Sequence, residues 1–286
     1  MRIDTLLQAA SRQLADARLE DPDLEARLLL QFLTASSRSQ LVLRAAEEIE
    51  ADVADHYLQL VNRRCRRIPL QHLTGVQEFW SLELVVSPAV LIPRPETEFL
   101  LEQVLANVDR RPGQRVLDMC TGSGAIALVL ARELACRVVA VDLSAAALAI
   151  ARRNRSKYRL EGQVALIQGD LFSGLHPGNK YDCIVSNPPY IADAEIDFLE
   201  PEVALAEPRM ALSGGEDGLA CIRRIIESAP DFLQPGGWLF LEIGAEQETA
   251  VAHLLQRAGG VYEQIRVEPD YAGRPRVARA RRTARG

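Results

Sequence analysis

The residues best suited to chemistry stand together at Ser186-Asn187-Pro188-Pro189-Tyr190. Two consecutive prolines hold the backbone extended and remove two N–H donors, so the carbonyls of Pro188 and its neighbour act as pure acceptors. The Asn187 side-chain oxygen and a proline carbonyl can then accept both hydrogens of one substrate NH2 group. An amide or aromatic amino nitrogen is a poor nucleophile, because its lone pair is delocalised into the neighbouring π system. Two acceptors stabilise positive charge as it develops on that nitrogen and aim it at an electrophile. Tyr190 offers a ring against which a planar group can pack. Alone, the run would be a proline-stiffened turn; its neighbours decide otherwise.

A second cluster is Asp118-Met119-Cys120-Thr121-Gly122-Ser123-Gly124, between an apolar run and a helix expected from Ala125. Glycines there let the backbone approach a ligand, and a helix N-terminus adds oriented N–H groups. Asp142 closes the next apolar run, about 20 residues on, where an acid can bind both hydroxyls of a ribose. Asp170, in Gly169-Asp170-Leu171-Phe172, closes a third, where it can accept from an adenine amino group while an apolar neighbour covers the ring. A nicotinamide cofactor would use the first two features equally well. The Asn187 run selects S-adenosylmethionine, whose methyl group is already activated as a sulfonium, so the chemistry calls for no metal.

These residues need a parallel α/β sheet, whose ligands bind beyond the carboxyl ends of the strands. The sequence supplies one. Apolar runs at Val116–Asp118, Val138–Asp142, Val164–Ile167, Cys183–Val185 and Trp238–Leu241 alternate with helical stretches at Ala125–Leu134, Ala145–Lys157, Gly218–Leu233 and Glu246–Ala258. Two late runs, Tyr262–Val267 and Arg276–Ala280, complete a seven-stranded doubly wound sheet. Before it, apolar residues recur at helical spacing (Leu6, Leu7, Ala10, Leu14; Leu24, Leu28, Leu29; Val53, Tyr57, Leu60, Val61), predicting a small helical domain over residues 1–67. Short β-rich runs around Trp80 predict a hairpin linker over 68–93, leaving 94–286 for the catalytic domain.

Composition narrows the partners. A net charge of -6 gives no footprint for a protein living on a phosphate backbone, so no stable nucleic-acid binding is expected. The clusters Arg63-Arg64-Cys65-Arg66-Arg67 and Arg279-Ala280-Arg281-Arg282 are the nearest candidates, and runs of this size are usually solvated helix ends or frayed termini. Five widely spaced cysteines without a C-x-x-C pair support neither disulfides nor zinc, and the four histidines have no metal-ligand spacing. No apolar run could cross a bilayer and no signal core follows Met1, so a cytoplasmic location is expected.

The chain resembles the release-factor glutamine methyltransferases over nearly its whole length. The resemblance rests on Pro69–Gly75, on Leu91-Ile92-Pro93-Arg94-Pro95-Glu96-Thr97-Glu98, on Asp118–Gly124, Asp142 and Asn187–Tyr190, and on Ala211-Leu212-Ser213-Gly214-Gly215. It implies a class I methyltransferase fold with a helical N-terminal substrate-recognition domain. It implies that S-adenosylmethionine is held by Cys120, Thr121, Gly122, Ser123, Gly124, Asp142, Asp170, Leu171 and Asn187. It implies that Asn187, Pro188, Pro189 and Tyr190 hold a glutamine amide, that of the Gly-Gly-Gln loop in class 1 peptide-chain release factors. Cys120 departs from the family's usual first glycine, and Leu171 stands where a larger aromatic sometimes covers adenine. Two other readings compete: an adenine-amino methyltransferase acting on DNA or RNA, since an exocyclic amine suits the same acceptors, and a non-catalytic cofactor-fold binding module.

Overall fold

The computed structural model describes residues 1–176 and 178–284. Pro177, and Arg285 and Gly286 at the end of the expected 94–286 domain, lie outside them. The chain divides into two compact units, one of Met1–Val76 with Glu200–Ala206, the other of Gln77–Leu199 with Glu207–Gly286.

The first unit is helical: α1 (Ile3–Asp16), α2 (Pro22–Thr34), α3 (Arg38–Leu43), α4 (Ala51–Cys65) and α5 (Leu70–Thr74). Ile3, Leu6, Ala10 and Leu14 form the buried stripe of α1 and share a core with Leu29 and Leu30 of α2 and Tyr57 and Val61 of α4. The Tyr57 hydroxyl donates to the Ala26 carbonyl at 2.9 Å, satisfying a polar atom that α4 carries inward. Ser37 and Gln40 form a capping box that starts α3. Arg64, expected as part of a solvated basic run, is buried, paired with Glu25 and, at 3.0 Å, with Glu202. Arg67 also reaches Glu202 at 3.0 Å. Arg63 and Arg66 of the same run stay exposed.

The second unit opens with a hairpin, β1 (Val76–Phe79) and β2 (Leu82–Val85). Its two turn residues, Trp80 and Ser81, both have positive φ (50° and 57°), as a two-residue hairpin turn of this hand requires. Phe79, Leu82 and Leu84 enter the core of this unit, and the Asn154 amide pairs with both backbone groups of Val85, at 2.7 and 2.9 Å. Of the stretch expected over 68–93, residues 68–76 fall in the first unit and 77–93 in the second.

Then follow α6 (Pro95–Asn107), β3 (Arg115–Met119), α7 (Ala125–Glu133), β4 (Arg137–Asp142), α8 (Ala145–Lys157), β5 (Val164–Gln168), β6 (Tyr181–Ser186), the short helices α9 (Pro201–Ala204) and α10 (Arg209–Leu212), α11 (Ala220–Ser228), β7 (Leu233–Glu242), α12 (Glu248–Arg257), β8 (Tyr262–Pro269) and β9 (Pro275–Arg282). The sheet runs β5-β4-β3-β6-β7-β9-β8, parallel through β7, with β9 antiparallel to both its neighbours. Side-chain alternation splits each strand between two cores. Val116 and Val185 face one that includes α6 and α7, whereas Leu117 and Ile184 face another that includes α11 and α12. The helix expected over Gly218–Leu233 is shorter than the sequence suggested. It ends at Ser228, before a turn over Ala229–Asp231 that carries Pro230, and Leu233 already belongs to β7. The basic run at Arg279–Arg282 forms the end of β9, with Arg279 bound to Glu268 and Arg281 to the Gly236 carbonyl.

Candidate active site

Strand order reverses at β3, which pairs with β4 on one side and β6 on the other. Loops leaving the carboxyl ends of such strands diverge and open a crevice. A cavity of about 460 Å3 lies there, within the second unit. Cys120, Thr121, Gly122 and Ser123 line it, as do Asp142, Asp170 and Leu171, and so do Asn187 and Pro189. The structure thus brings most of the sequence candidates to one place. Gly124, Pro188 and Tyr190 do not line it.

At the β3 end the loop is held mainly by itself. Asp118 is fully buried, and its Oδ2 accepts from the Thr121 hydroxyl at 2.6 Å and the Ala127 N–H at 3.1 Å. Burial pushes this carboxyl up to about 7, against the pull of those two donors. Gly124 caps α7 at φ 84°, left-handed backbone that favours glycine, and a Cβ there would also sit tightly, 3.3 Å from that of Ala151. Asn154 adds an amide donor to the Ser123 carbonyl at 2.9 Å, tying the loop to the hairpin. Asp142 accepts from the Gly122 N–H and the Ser144 N–H, both at 2.8 Å, one on each oxygen. Burial raises its carboxyl while those N–H groups lower it.

Both departures from the family pattern sit in left-handed backbone, Cys120 in the glycine loop at φ 60° and Leu171 beyond β5 at φ 51°. Such a conformation costs a non-glycine residue about 1–2 kcal/mol, so the rest of the loop holds it in place. The Cys120 sulfur lies 4.0 Å from that of Cys221 on α11. Asp170 is paired with Arg224 of α11 at 2.9 Å, in a half-exposed bridge.

At the β6 end the support comes from far away in the chain. Asn187 Nδ2 donates to Thr97 Oγ1 at 3.0 Å, and that hydroxyl donates to Glu242 Oε2 at 2.7 Å. The Tyr190 hydroxyl donates to Glu242 Oε1 at 3.3 Å, and its ring packs against the core that includes α11 and α12. Glu242 closes β7 and is 1% exposed; burial pushes its carboxyl up to about 7, opposed by the Thr97 hydroxyl and by Arg276. The Ala211–Gly215 stretch fastens the residue after the motif, with Ile191 N donating to Leu212 O at 3.0 Å and Gly214 N to Ile191 O at 2.8 Å. Gly218 follows at φ 71°, where any Cβ would lie 2.5 Å from the Tyr190 carbonyl. Gln247 donates to that same carbonyl at 2.8 Å.

Sequence reasoning singled out neither Glu242, Gln247, Arg224 nor Cys221. A signal existed only for Glu242, an acid directly after the buried run Trp238–Leu241 at the edge where chemistry was expected. Of Pro93–Glu98, three polar side chains turn out to be braces: Arg94 binds buried Glu207 at 2.8 Å, Thr97 binds Glu242, and Glu98 accepts the Trp80 N–H at 2.6 Å.

Comparison with known proteins places the chain in a family. A family model described as the PrmC N-terminal domain matches residues 5–75, and one described as the methyltransferase small domain matches residues 95–216. The release factor glutamine methyltransferase of Moorella thermoacetica is 46% identical over 277 residues, 96% of this chain and 97% of that one. The chain belongs to the release factor glutamine methyltransferase family. Its relative from Koribacter versatilis is 40% identical over 283 residues, 99% of each chain. A methyltransferase from Pyrococcus furiosus, 21% identical, superposes with a TM-score of 0.55 over 78% of this chain and 98% of that one, a likeness of fold. Family membership makes the chain a methyltransferase with the class I fold. Among the described residues, no helix is long and apolar enough to cross a membrane.

Proposed function

We propose that this enzyme transfers the methyl group of S-adenosylmethionine to the side-chain amide nitrogen (N5) of the glutamine in the Gly-Gly-Gln motif of class 1 peptide-chain release factors. The observation that carries the reading is the convergence of Asn187 and Pro189 with the glycine loop and Asp142 on one cavity. Relatives over the full length bear the corresponding name.

The residues present fit the methyl donor. Each Asp142 oxygen spends one lone pair on a backbone N–H and keeps another for a ribose hydroxyl. Leu171, Leu143 and Val90 give an apolar wall for a purine, with Asp170 at its edge. Bound there, S-adenosylmethionine supplies a methyl group already activated on a sulfonium. Asn187 Oδ1 and a proline carbonyl of the motif accept the two hydrogens of the glutamine NH2. That holds the nitrogen in line and stabilises its growing positive charge. The helical first unit contributes recognition of the release-factor body, since a three-residue loop offers little area of its own. Leu43 of α3, 84% exposed, is an apolar side chain with no core to serve. Leu43→Asp should raise KM for intact release factor and leave donor affinity unchanged.

Nucleic acid has less behind it as the acceptor. Of the two basic clusters, Arg64, Arg67, Arg279 and Arg281 are committed to partners within the chain, which leaves Arg63 and Arg66 as exposed cations on one helix end. The deciding experiment offers radiolabelled S-adenosylmethionine to the enzyme with a class 1 release factor, with the same factor carrying alanine in place of the loop glutamine, and with DNA or RNA. Label should enter the intact factor alone. Label in nucleic acid, or label that survives the alanine substitution, would overturn the reading.

A further inference from the structure

An asparagine amide has two ends of nearly equal size and opposite hydrogen-bonding sense. Only its oxygen can accept from a substrate NH2; turned over, Asn187 would set two donors against another donor. The site therefore needs a device that fixes which end faces the cavity, and the prolines beside Asn187 have no side-chain group to supply one.

Thr97 and Glu242 have the required groups. A hydroxyl carries a single proton, and a carboxylate only accepts once it is ionised, a form that Glu242, pushed up to about 7 by burial, takes as pH rises through that value. Thr97 Oγ1 gives its proton to Glu242 Oε2 at 2.7 Å, so towards Asn187 it can only accept. The amide nitrogen satisfies it at 3.0 Å, which leaves Oδ1 as the end that serves the cavity. The second oxygen of Glu242 takes the Tyr190 hydroxyl at 3.3 Å, and Arg276 lies near enough to favour its charge. Thr97 is 4% exposed, so water has little access to compete for these groups. A buried carboxylate opposes folding, and an apolar side chain would close β7 without that cost. What the carboxylate adds is direction to the chain of hydrogen bonds.

We propose that Thr97 and Glu242 are positioning residues that set the orientation of the Asn187 amide and so present its oxygen to the substrate nitrogen. The proposal rests on the reading of Asn187 as the substrate acceptor. Thr97 lies in the Pro93–Glu98 stretch, so the relay also gives that stretch a part in catalysis, at a distance of 90 residues along the chain from the group it steers.

The test is a double-mutant cycle in the full-length enzyme with intact release factor. Thr97→Val, Thr97→Ser, Asn187→Ala and the Thr97→Val/Asn187→Ala pair are compared for kcat, KM and donor affinity by calorimetry, with thermal midpoints checking the fold. Thr97→Val should lower kcat by about tenfold to a hundredfold, the range expected when a reacting group is held about an ångström out of place. KM and donor affinity should stay within about twofold, and Thr97→Ser should recover most of the rate. In the pair, kcat should match that of Asn187→Ala alone, because the threonine has nothing left to steer. A kcat of Thr97→Val near the wild-type value, or losses that multiply in the pair, would overturn the relay. Normal turnover by Asn187→Ala would instead remove the acceptor reading beneath it. Should Thr97→Val fail to fold, Thr97→Ala gives the same cycle.

Discussion

The two ends of the cavity are built differently. At the β3 end, the glycine loop is braced by Asp118, Thr121 and Ala127, neighbours within one strand-loop-helix turn, and by Asp142 at the end of the adjacent strand. At the β6 end, Asn187 is oriented through Thr97 on α6 and Glu242 on β7, residues that are 145 positions apart. Each end holds a buried carboxyl pushed up to about 7, yet Asp118 stiffens a backbone and Glu242 steers a side chain. A donor with fixed chemistry needs a rigid cradle that local sequence can encode. A reacting nitrogen needs a direction, which requires groups converging from several elements.

Breaking the acceptor end should show the largest effect. Asn187→Ala removes one of two acceptors aimed at the developing charge, a loss of about 3–4 kcal/mol, so kcat should fall by about 10²–10³. Donor affinity measured by calorimetry should fall far less, since Asn187 is one of several groups expected to hold the donor. Breaking the other end should reverse that pattern. Asp142→Ala removes a charged acceptor worth about 1.5–3 kcal/mol, which weakens the donor Kd by roughly ten- to a hundredfold, while kcat at saturating donor holds up much better. Equal losses of affinity and kcat in both variants would erase the distinction between the ends.

The two carboxyls sharpen the comparison through pH. Both are raised by burial, Asp118 from 3.8 and Glu242 from 4.5, each to about 7. The folded state therefore binds more protons than the unfolded chain across that window, and folding stability falls as pH rises from about 4 to about 7, then levels. Thermal midpoints measured from pH 5 to 8 should decline with this shape. Asp118→Asn and Glu242→Gln should each flatten part of the slope, and a slope untouched by either would mean that other groups carry it. The smallest effect should come from Tyr190→Phe. Its hydroxyl is a long partner for Glu242, the ring still packs, and Thr97 keeps its own oxygen of the carboxylate. A loss of about 1 kcal/mol corresponds to roughly fivefold in kcat, and a loss as large as that of Asn187→Ala would move Tyr190 into the reacting centre.

The loop at Asp118–Gly124, the acids at Asp142 and Asp170 and the motif at Asn187 were legible because each is a short run at the end of an apolar strand. Strand-by-strand alternation made the seven-stranded sheet legible for the same reason. Less could be read where an element's partner is distant. Nothing near Trp80 in sequence shows that Asn154 will bind Val85 or that Phe79 will enter the core of the second unit. Arg64 looked solvated because its partner Glu202 comes 138 residues later.

The sequence by itself determined the fold class and picked out residues that line the cavity, among them Cys120–Ser123, Asp142, Asp170, Asn187 and Pro189. Hydrophobic period and turn chemistry act over a few residues, so a few residues are enough to read them. Only the tertiary structure decided which way the Asn187 amide faces. That choice rests on one proton of Thr97 and one carboxylate of Glu242, brought together by α6 and β7. Hydrogen-bond direction depends on what a group meets in space, and no local pattern in the chain records it.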